Sequence, residues 1–141
     1  MFAVFIVNSI IVALAVLIHY EFLMIISNIM PKIKIKNRSK ILVGVFSALI
    51  AHTAEIWVFG IAYFFMNKRP TWGDFAGNFN DTLLDCVYFS FTSFTSLGLG
   101  DIEPHGAIRY LAGIEALTGL VLITWTASFL YYEMQRFWGK N

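Results

Sequence analysis

Three apolar stretches, each long enough to cross a lipid bilayer, limit what this chain can fold into. They cover residues 1–30, 41–66 and 106–137, and a helical span needs about 20 mostly apolar residues. Of the 141 residues, 58% are hydrophobic and 13% are charged, whereas a soluble domain carries about 25% charged residues. The composition therefore predicts an all-α membrane protein with three transmembrane helices.

The connection between the first two spans predicts the orientation in the bilayer. Residues 31–40 hold five basic side chains and no acidic one, and short basic loops stay in the cytoplasm. The N-terminus and residues 67–82 then lie outside, and the tail with Arg136 and Lys140 lies in the cytoplasm. We expect a protein of the cell (inner or plasma) membrane. A nucleic-acid patch is disfavoured because this loop is tethered between two spans, so we expect no nucleic-acid partner and no soluble partner.

A shorter apolar segment, residues 83–95, lies between the second and third spans. Its 13 residues are too few to cross the bilayer. The segment is therefore predicted to be a re-entrant helix that enters from outside. Thr82 and Asp85 are spaced as a capping pair for its first turn. Its last carbonyl groups would face the membrane centre, where a helix C-terminus favours a cation.

Glycines alternate with other residues directly after this helix. Residues 96–101 read Ser-Leu-Gly-Leu-Gly-Asp. Glycine reaches backbone angles that other residues avoid, so the alternation can turn successive carbonyl groups towards one axis. Four such strands form rings of oxygens that replace the water shell of an ion. A phosphate-binding turn is disfavoured, because Glu103 stands where a third glycine would be needed and no strand pattern surrounds it.

Residues 95–101 resemble the T-T-V-G-Y-G-D selectivity filter of the potassium-channel pore-domain family. The likeness is greatest to pore-only prokaryotic channels and to the half-units of two-pore-domain channels. It implies a pore domain at residues 41–138, preceded by an extra transmembrane helix and a basic cytoplasmic loop. The parts would be an outer helix at 41–66, a pore helix at 83–95, a filter at 96–101 and an inner helix at 106–137.

This resemblance also implies an assembly and an activity. One filter per chain requires a homotetramer in the lipid bilayer. The implied function is passive conduction through a potassium-selective ion channel, with K⁺ as the conducted ion, no cofactor and no enzymatic activity. The alternative functions are a non-selective monovalent cation channel, an accessory membrane subunit and a proton-coupled transporter. The last two give no reason for a re-entrant strand with alternating glycines.

Individual roles follow from the same resemblance. The ion-binding backbone groups would belong to Ser96, Leu97, Gly98, Leu99 and Gly100. Filter support would come from Thr92, Thr95, Tyr88, Phe89 and Asp101. Two positions depart from the family pattern, since Ser96 replaces a threonine and Leu99 replaces the commonest tyrosine. The phenol that usually braces the filter is then missing, and we expect Tyr88 and Phe89 to pack around Leu99 instead.

Ionisable residues within the predicted spans form the second group of candidates. They are His19, Glu21, His52, Glu55 and Glu115. At about 1.5 Å of rise per residue, several of them reach a similar depth, and such groups usually face the protein interior. The cluster of His19, His52, Glu55 and Glu115 is either a proton sensor or a set of structural hydrogen bonds, which we favour. A metal site is disfavoured, because only His52 and Glu55 have supporting spacing.

The inner helix offers a candidate hinge and candidate cavity-lining residues. Gly119 lies near the position of the hinge glycine in the potassium-channel family, but a glycine there can equally allow close helix packing. Thr118 can face a watery cavity or bond to the backbone of its own helix. The sequence leaves both pairs of alternatives open.

Overall fold

Three long helices dominate the computed structural model, which describes residues 2–138 and the side chains of residues 2–137. Helix α1 is Phe2–Ile29, α2 is Asn37–Asn67 and α4 is Ile108–Trp138. They contain 28, 31 and 31 residues, and at about 1.5 Å per residue each exceeds the roughly 30 Å hydrocarbon layer of a bilayer. All three are apolar enough to cross a membrane, as the sequence predicted.

The connection between α1 and α2 is shorter than the predicted loop. A 3₁₀ turn, Met30–Lys32, follows α1 directly, and Pro31 within it cannot donate the hydrogen bond that would continue an α-helix. Since α2 begins at Asn37, only residues 33–36 lie outside these helices. Lys40 is buried, and its Nζ lies 4.8 Å from the centroid of the Phe137 ring, so the beginning of α2 contacts the end of α4.

Helix α1 packs against both α2 and α4 along one stripe. Its buried residues follow a spacing of three or four, which defines one face of a helix; they are Asn8, Ile11, Ala15, His19 and Leu23. The opposite face, with Ile10 and Leu17, is exposed. One side of α1 therefore joins the protein and the other is left for lipid.

A fourth helix, α3, covers Leu83–Phe94 and packs between α2 and α4. Two glycines allow the close approach. A Cβ atom on Gly60 of α2 would lie 2.6 Å from Cγ2 of Val87, and one on Gly119 of α4 would overlap the carbonyl oxygen of Phe94. Gly119 is thus required for packing of α3 against α4.

A two-stranded antiparallel ribbon joins the chain before α3 to the chain after it. Strand β1 is Phe75–Gly77 and β2 is Ile102–Pro104, with Phe75 opposite Pro104 and Gly77 opposite Ile102. The Asn78 N–H donates to the Asp101 carbonyl at 2.7 Å, and the His105 N–H donates to the Asp74 carbonyl at 2.8 Å. We call residues 74–78 and 101–105 the β clasp. The expectation of no strand near Glu103 was wrong, because strands of three residues are too short to show an alternating pattern.

Candidate functional site

The first turn of α3 is fixed by reciprocal hydrogen bonds. Oγ1 of Thr82 accepts from the Asp85 N–H at 3.1 Å, and Oδ2 of Asp85 accepts from the Thr82 N–H at 3.4 Å. The same Oδ2 accepts from the Asn80 N–H at 2.9 Å. This last bond is the main cause of the lowered pKa of Asp85, since hydrogen bonds to a carboxylate favour its charged form. The predicted capping box is confirmed.

The last turn of α3 holds the residues that follow it. The helix ends at Phe94, with Thr95 as its C-cap, one residue before the predicted end. The Ser96 N–H donates to the Ser93 carbonyl at 2.9 Å, and the Gly98 N–H donates to the Thr92 carbonyl at 3.1 Å. The hydroxyls of Thr92 and Thr95 also bond to α3, at the carbonyls of Phe89 and Phe91. Both threonines predicted as filter support therefore stabilise the end of α3.

Backbone angles alternate along residues 96–101, which we call the glycine segment. Ser96, Gly98 and Gly100 have positive φ values of 56°, 56° and 77°, whereas Leu97 and Leu99 do not. Alternation between left- and right-handed φ aligns successive peptide groups. Ser96 is a non-glycine residue at positive φ, which is uncommon and is found preferentially at functional sites.

The glycine segment ends at a hydrogen bond to α3. The Tyr88 hydroxyl donates to Oδ2 of Asp101 at 3.0 Å, and this bond is the main cause of the raised pKa of Tyr88. Phe89 instead lies in the core, with ring centroids 5.1 Å from Tyr63 and 4.9 Å from Phe75. Tyr88 and Phe89 are neighbours on a helix, about 100° apart, so they face different surroundings.

The predicted ion-binding positions all lie on the surface of the single chain. Residues 96–100 are exposed, and the side chains of Leu97 and Leu99 are 63% and 58% accessible. One chain thus presents one strand of backbone oxygens without any ring. A ring of backbone oxygens would need equivalent strands from other chains.

Glu115 lies apart from the histidines, so the structure corrects the predicted four-residue cluster. Its Oε2 accepts from the Tyr63 hydroxyl, and its Oε1 lies 2.5 Å from Oγ of Ser90. Oγ of Ser90 also lies 2.9 Å from the Ile56 carbonyl. Glu115, Tyr63 and Ser90 are fully buried. This group joins α2, α3 and α4 behind the glycine segment.

The other predicted residues meet around one carboxylate. Nδ1 of His19 lies 2.8 Å from Oε1 of Glu55, and Nδ1 of His52 lies 2.9 Å from Oε2. On the far side of both rings, Oγ1 of Thr126 lies 3.1 Å from Nε2 of His52 and 3.4 Å from Nε2 of His19. We call these four residues the His–Glu cluster. The sequence did not indicate this role of Thr126, because a lone threonine in a span gives no signal of such a contact.

The His–Glu cluster contains the residue types of a metal site. His19, His52 and Glu55 can offer ligand atoms that all lie within 4.8 Å of one another. In the structure, however, both nitrogens of each imidazole and both carboxylate oxygens are already in hydrogen-bond contact. We therefore assign no metal to this cluster.

Two other residues that the sequence analysis singled out within the spans are Thr118 and Glu21. The hydroxyl of Thr118 donates to the Ile114 carbonyl at 2.8 Å, which is a bond to its own helix. Glu21 is exposed on α1, although intramembrane charges usually face the protein interior.

Comparison with known proteins identifies a family for most of the chain. The model of a family described as "Ion channel" matches residues 41–136. These residues include most of α2, all of α3, the β clasp and the glycine segment, and almost all of α4, whereas α1 lies outside the match. No curated protein and no solved structure matches the chain.

Proposed function

The chain belongs to the ion channel family, and on that premise we propose that four copies form a potassium-selective channel. In this tetramer, α4 lines the pore and α2 lies outside it. Helix α3 is the re-entrant pore helix, and the glycine segment is the filter. The extra helix α1 packs on α2 and α4, away from the pore axis.

The observation that carries this proposal is the φ alternation at Ser96, Gly98 and Gly100. It occurs directly after a short helix that lies between two membrane-length helices. Four such segments around an axis would give rings of carbonyl oxygens in place of the hydration shell of K⁺. The C-terminal end of α3 would add a negative dipole end on the same side.

Selectivity depends on how firmly the glycine segment is held. Its inner end is bonded to the last turn of α3 through Gly98, and its outer end is bonded to Tyr88 through Asp101. The Tyr88 hydroxyl thus holds the outer end of the glycine segment by a hydrogen bond, which the apolar side chain of Leu99 cannot form. Asp101 and Glu103 would form rings of negative charge at the outer mouth of a tetramer, where they concentrate cations.

The proposal is tested by the reversal potential of the purified protein in planar bilayers, with potassium on one side and sodium on the other. Potassium selectivity places the reversal potential near the potassium equilibrium value. Gly98→Ala should abolish the selective current, because an L-residue at positive φ costs roughly 1–2 kcal/mol in each of four subunits.

Gly113→Ala is the matched control. Neither Gly98 nor Gly113 has atoms within 4 Å of an added Cβ, but only Gly98 has a positive φ. The control should therefore conduct as the wild type does. A reversal potential near zero with robust current would mean that the channel conducts monovalent cations without selecting potassium. Absence of current at every pH would overturn the channel proposal in favour of an accessory subunit.

A further inference from the structure

The His–Glu cluster is a closed ring of hydrogen bonds that joins three helices. His19 belongs to α1, His52 and Glu55 belong to α2, and Thr126 belongs to α4. The ring runs from Glu55 through one imidazole to Thr126 and back through the other imidazole. His19 and Glu55 are fully buried, whereas the His52 side chain is 15% accessible.

The four contacts of this ring need four hydrogens. Two neutral imidazoles supply two N–H groups, and the Thr126 hydroxyl supplies one more. If Glu55 is ionised, these three hydrogens leave one contact without a hydrogen. One added proton completes the ring, whether it resides on an imidazole nitrogen or on the carboxyl group. In either arrangement the sum of the charges on His19, His52 and Glu55 is zero.

The net charge of the cluster distinguishes the state with one added proton from the states with one proton fewer and one proton more. Without the added proton the cluster is anionic and lacks a bond, and with a second added proton it is cationic. Uncompensated charge is costly inside a membrane protein. Both the hydrogen count and the net charge therefore favour the state with one added proton.

Within the described residues, no other charged group faces the cluster to compensate it. From α3 the contact is Phe94, and from α4 it is Trp125 beside Thr126. Glu21 of α1 is exposed and points about 200° away from His19 around the helix. Along α4, Glu133 and Glu115 lie about 10 Å and about 16 Å from Thr126 at 1.5 Å per residue.

We propose that the His–Glu cluster is an intramembrane binding site for one exchangeable proton, and that its release loosens α4 from α1 and α2. When the proton leaves through His52 to water, both Nε2 atoms become acceptors. The single hydroxyl of Thr126 can then donate to only one of them. Of the two contacts that connect α4 to the cluster, one is lost.

Glu55→Gln provides a specific test, because glutamine imitates the protonated cluster. Its NH₂ group donates to one Nδ1, and its carbonyl accepts from the other Nδ1–H. Two neutral imidazoles and the Thr126 hydroxyl then supply the remaining hydrogens. The ring keeps its four contacts and zero net charge, but it no longer has a proton to release.

The experiment is nitrogen NMR of ¹⁵N-histidine-labelled protein, recorded between about pH 5 and about pH 8, where histidine changes charge. The chain has three histidines, so His105→Gln leaves only the two cluster imidazoles. In this background, the imidazole signals should shift as one proton is lost. With Glu55→Gln added, the two cluster imidazoles stay neutral, so their signals should stay constant with pH.

Channel current tests the consequence for α4. Glu55→Gln should hold the current at the wild-type level of the acidic end, and Thr126→Ser should keep the wild-type pH response because the hydroxyl remains. Imidazole signals that do not change with pH, or that titrate equally in Glu55→Gln, would overturn the proton site. A wild-type pH response that survives in Glu55→Gln would overturn its link to α4. The NMR result does not depend on conduction, so it stands apart from the channel proposal.

Discussion

At the scale of single residues, buried polar side chains specify how the helices meet. Glu115, Tyr63 and Ser90 connect α4, α2 and α3, and each is fully buried. A buried polar atom that loses its partner keeps the full cost of its desolvation. These contacts therefore select one arrangement of helices in a membrane, where apolar surfaces alone discriminate poorly.

Replacing Tyr63 by phenylalanine tests this role. Tyr63→Phe removes the hydroxyl that donates to Oε2 of Glu115, and it leaves that buried oxygen without its donor. We expect the free energy of unfolding, measured by denaturant titration of the purified protein, to fall by about 1–3 kcal/mol.

Tyr110→Phe is the control, because Tyr110 is exposed and its hydroxyl makes no hydrogen bond to the described residues. It should leave the unfolding free energy unchanged. An equal fall in the free energy of unfolding in the two variants would show that the Tyr63–Glu115 bond does not stabilise the fold.

The sequence predicted these polar residues as a group but not their partners. Depth counted along each helix brought His19 and His52 together correctly. It also placed Glu115 with them, which was wrong because depth does not determine which side of α4 a residue faces. Tyr63 and Thr126 were not predicted as partners, since a tyrosine or threonine in a span is compatible with many surroundings.

At the scale of secondary structure elements, α3 depends on close contact at its two neighbouring helices. Gly60 of α2 faces Val87, and Gly119 of α4 faces the end of α3 at Phe94. The glycine segment starts two residues after Phe94. The position of α4 against α3 therefore determines where the glycine segment begins.

Gly119→Ala should separate α3 from α4. The added methyl group would overlap the Phe94 backbone, and overpacking of this kind costs about 1–3 kcal/mol. We expect a lower thermal unfolding temperature, measured in detergent.

Gly113→Ala lies on the same helix with no atom within 4 Å of the added Cβ. It should raise stability slightly, because alanine favours a helix over glycine by about 0.8–1.0 kcal/mol. If both variants unfold like the wild type, Gly119 is not a packing residue and the hinge interpretation regains support.

Element positions were largely predictable because apolar length and capping residues leave clear signals. The beginning of α3 was predicted correctly from Thr82 and Asp85. The beginning of α2 was missed by four residues, since two of the five basic residues that suggested a loop, Arg38 and Lys40, lie in its first turn. The β clasp was missed because its hydrogen bonds join residues far apart in sequence.

At the scale of the whole molecule, three helices are long and apolar enough to cross a membrane. If all three cross, residues 33–36 and residues 68–82 lie on opposite sides of the membrane. The single cysteine, Cys86, gives a suitable background for a labelling test. It is fully buried, and burial raises the pKa of its thiol to about 12, so it should not react with a maleimide.

New cysteines at exposed positions should report the two sides of the membrane. We expect Lys34→Cys to react with a membrane-impermeant maleimide only after cells are opened, and Thr71→Cys to react on intact cells. Both positions are exposed, and the unsubstituted chain is the control. The reverse pattern would mean that the positive-inside rule fails for this loop, and labelling of both sites from outside would mean that α2 does not cross.

The β clasp also fixes the two ends of the chain between its strands. Residues 78–101 leave and return through paired strands, so the distance between their ends is set by backbone hydrogen bonds. Side chains of the glycine segment can therefore change without altering how the loop is attached to α2 and α4. An exchange of residues 75–104 between related channels at the two strands would therefore also have to carry the α2 and α4 positions that α3 contacts, among them Gly60 and Gly119.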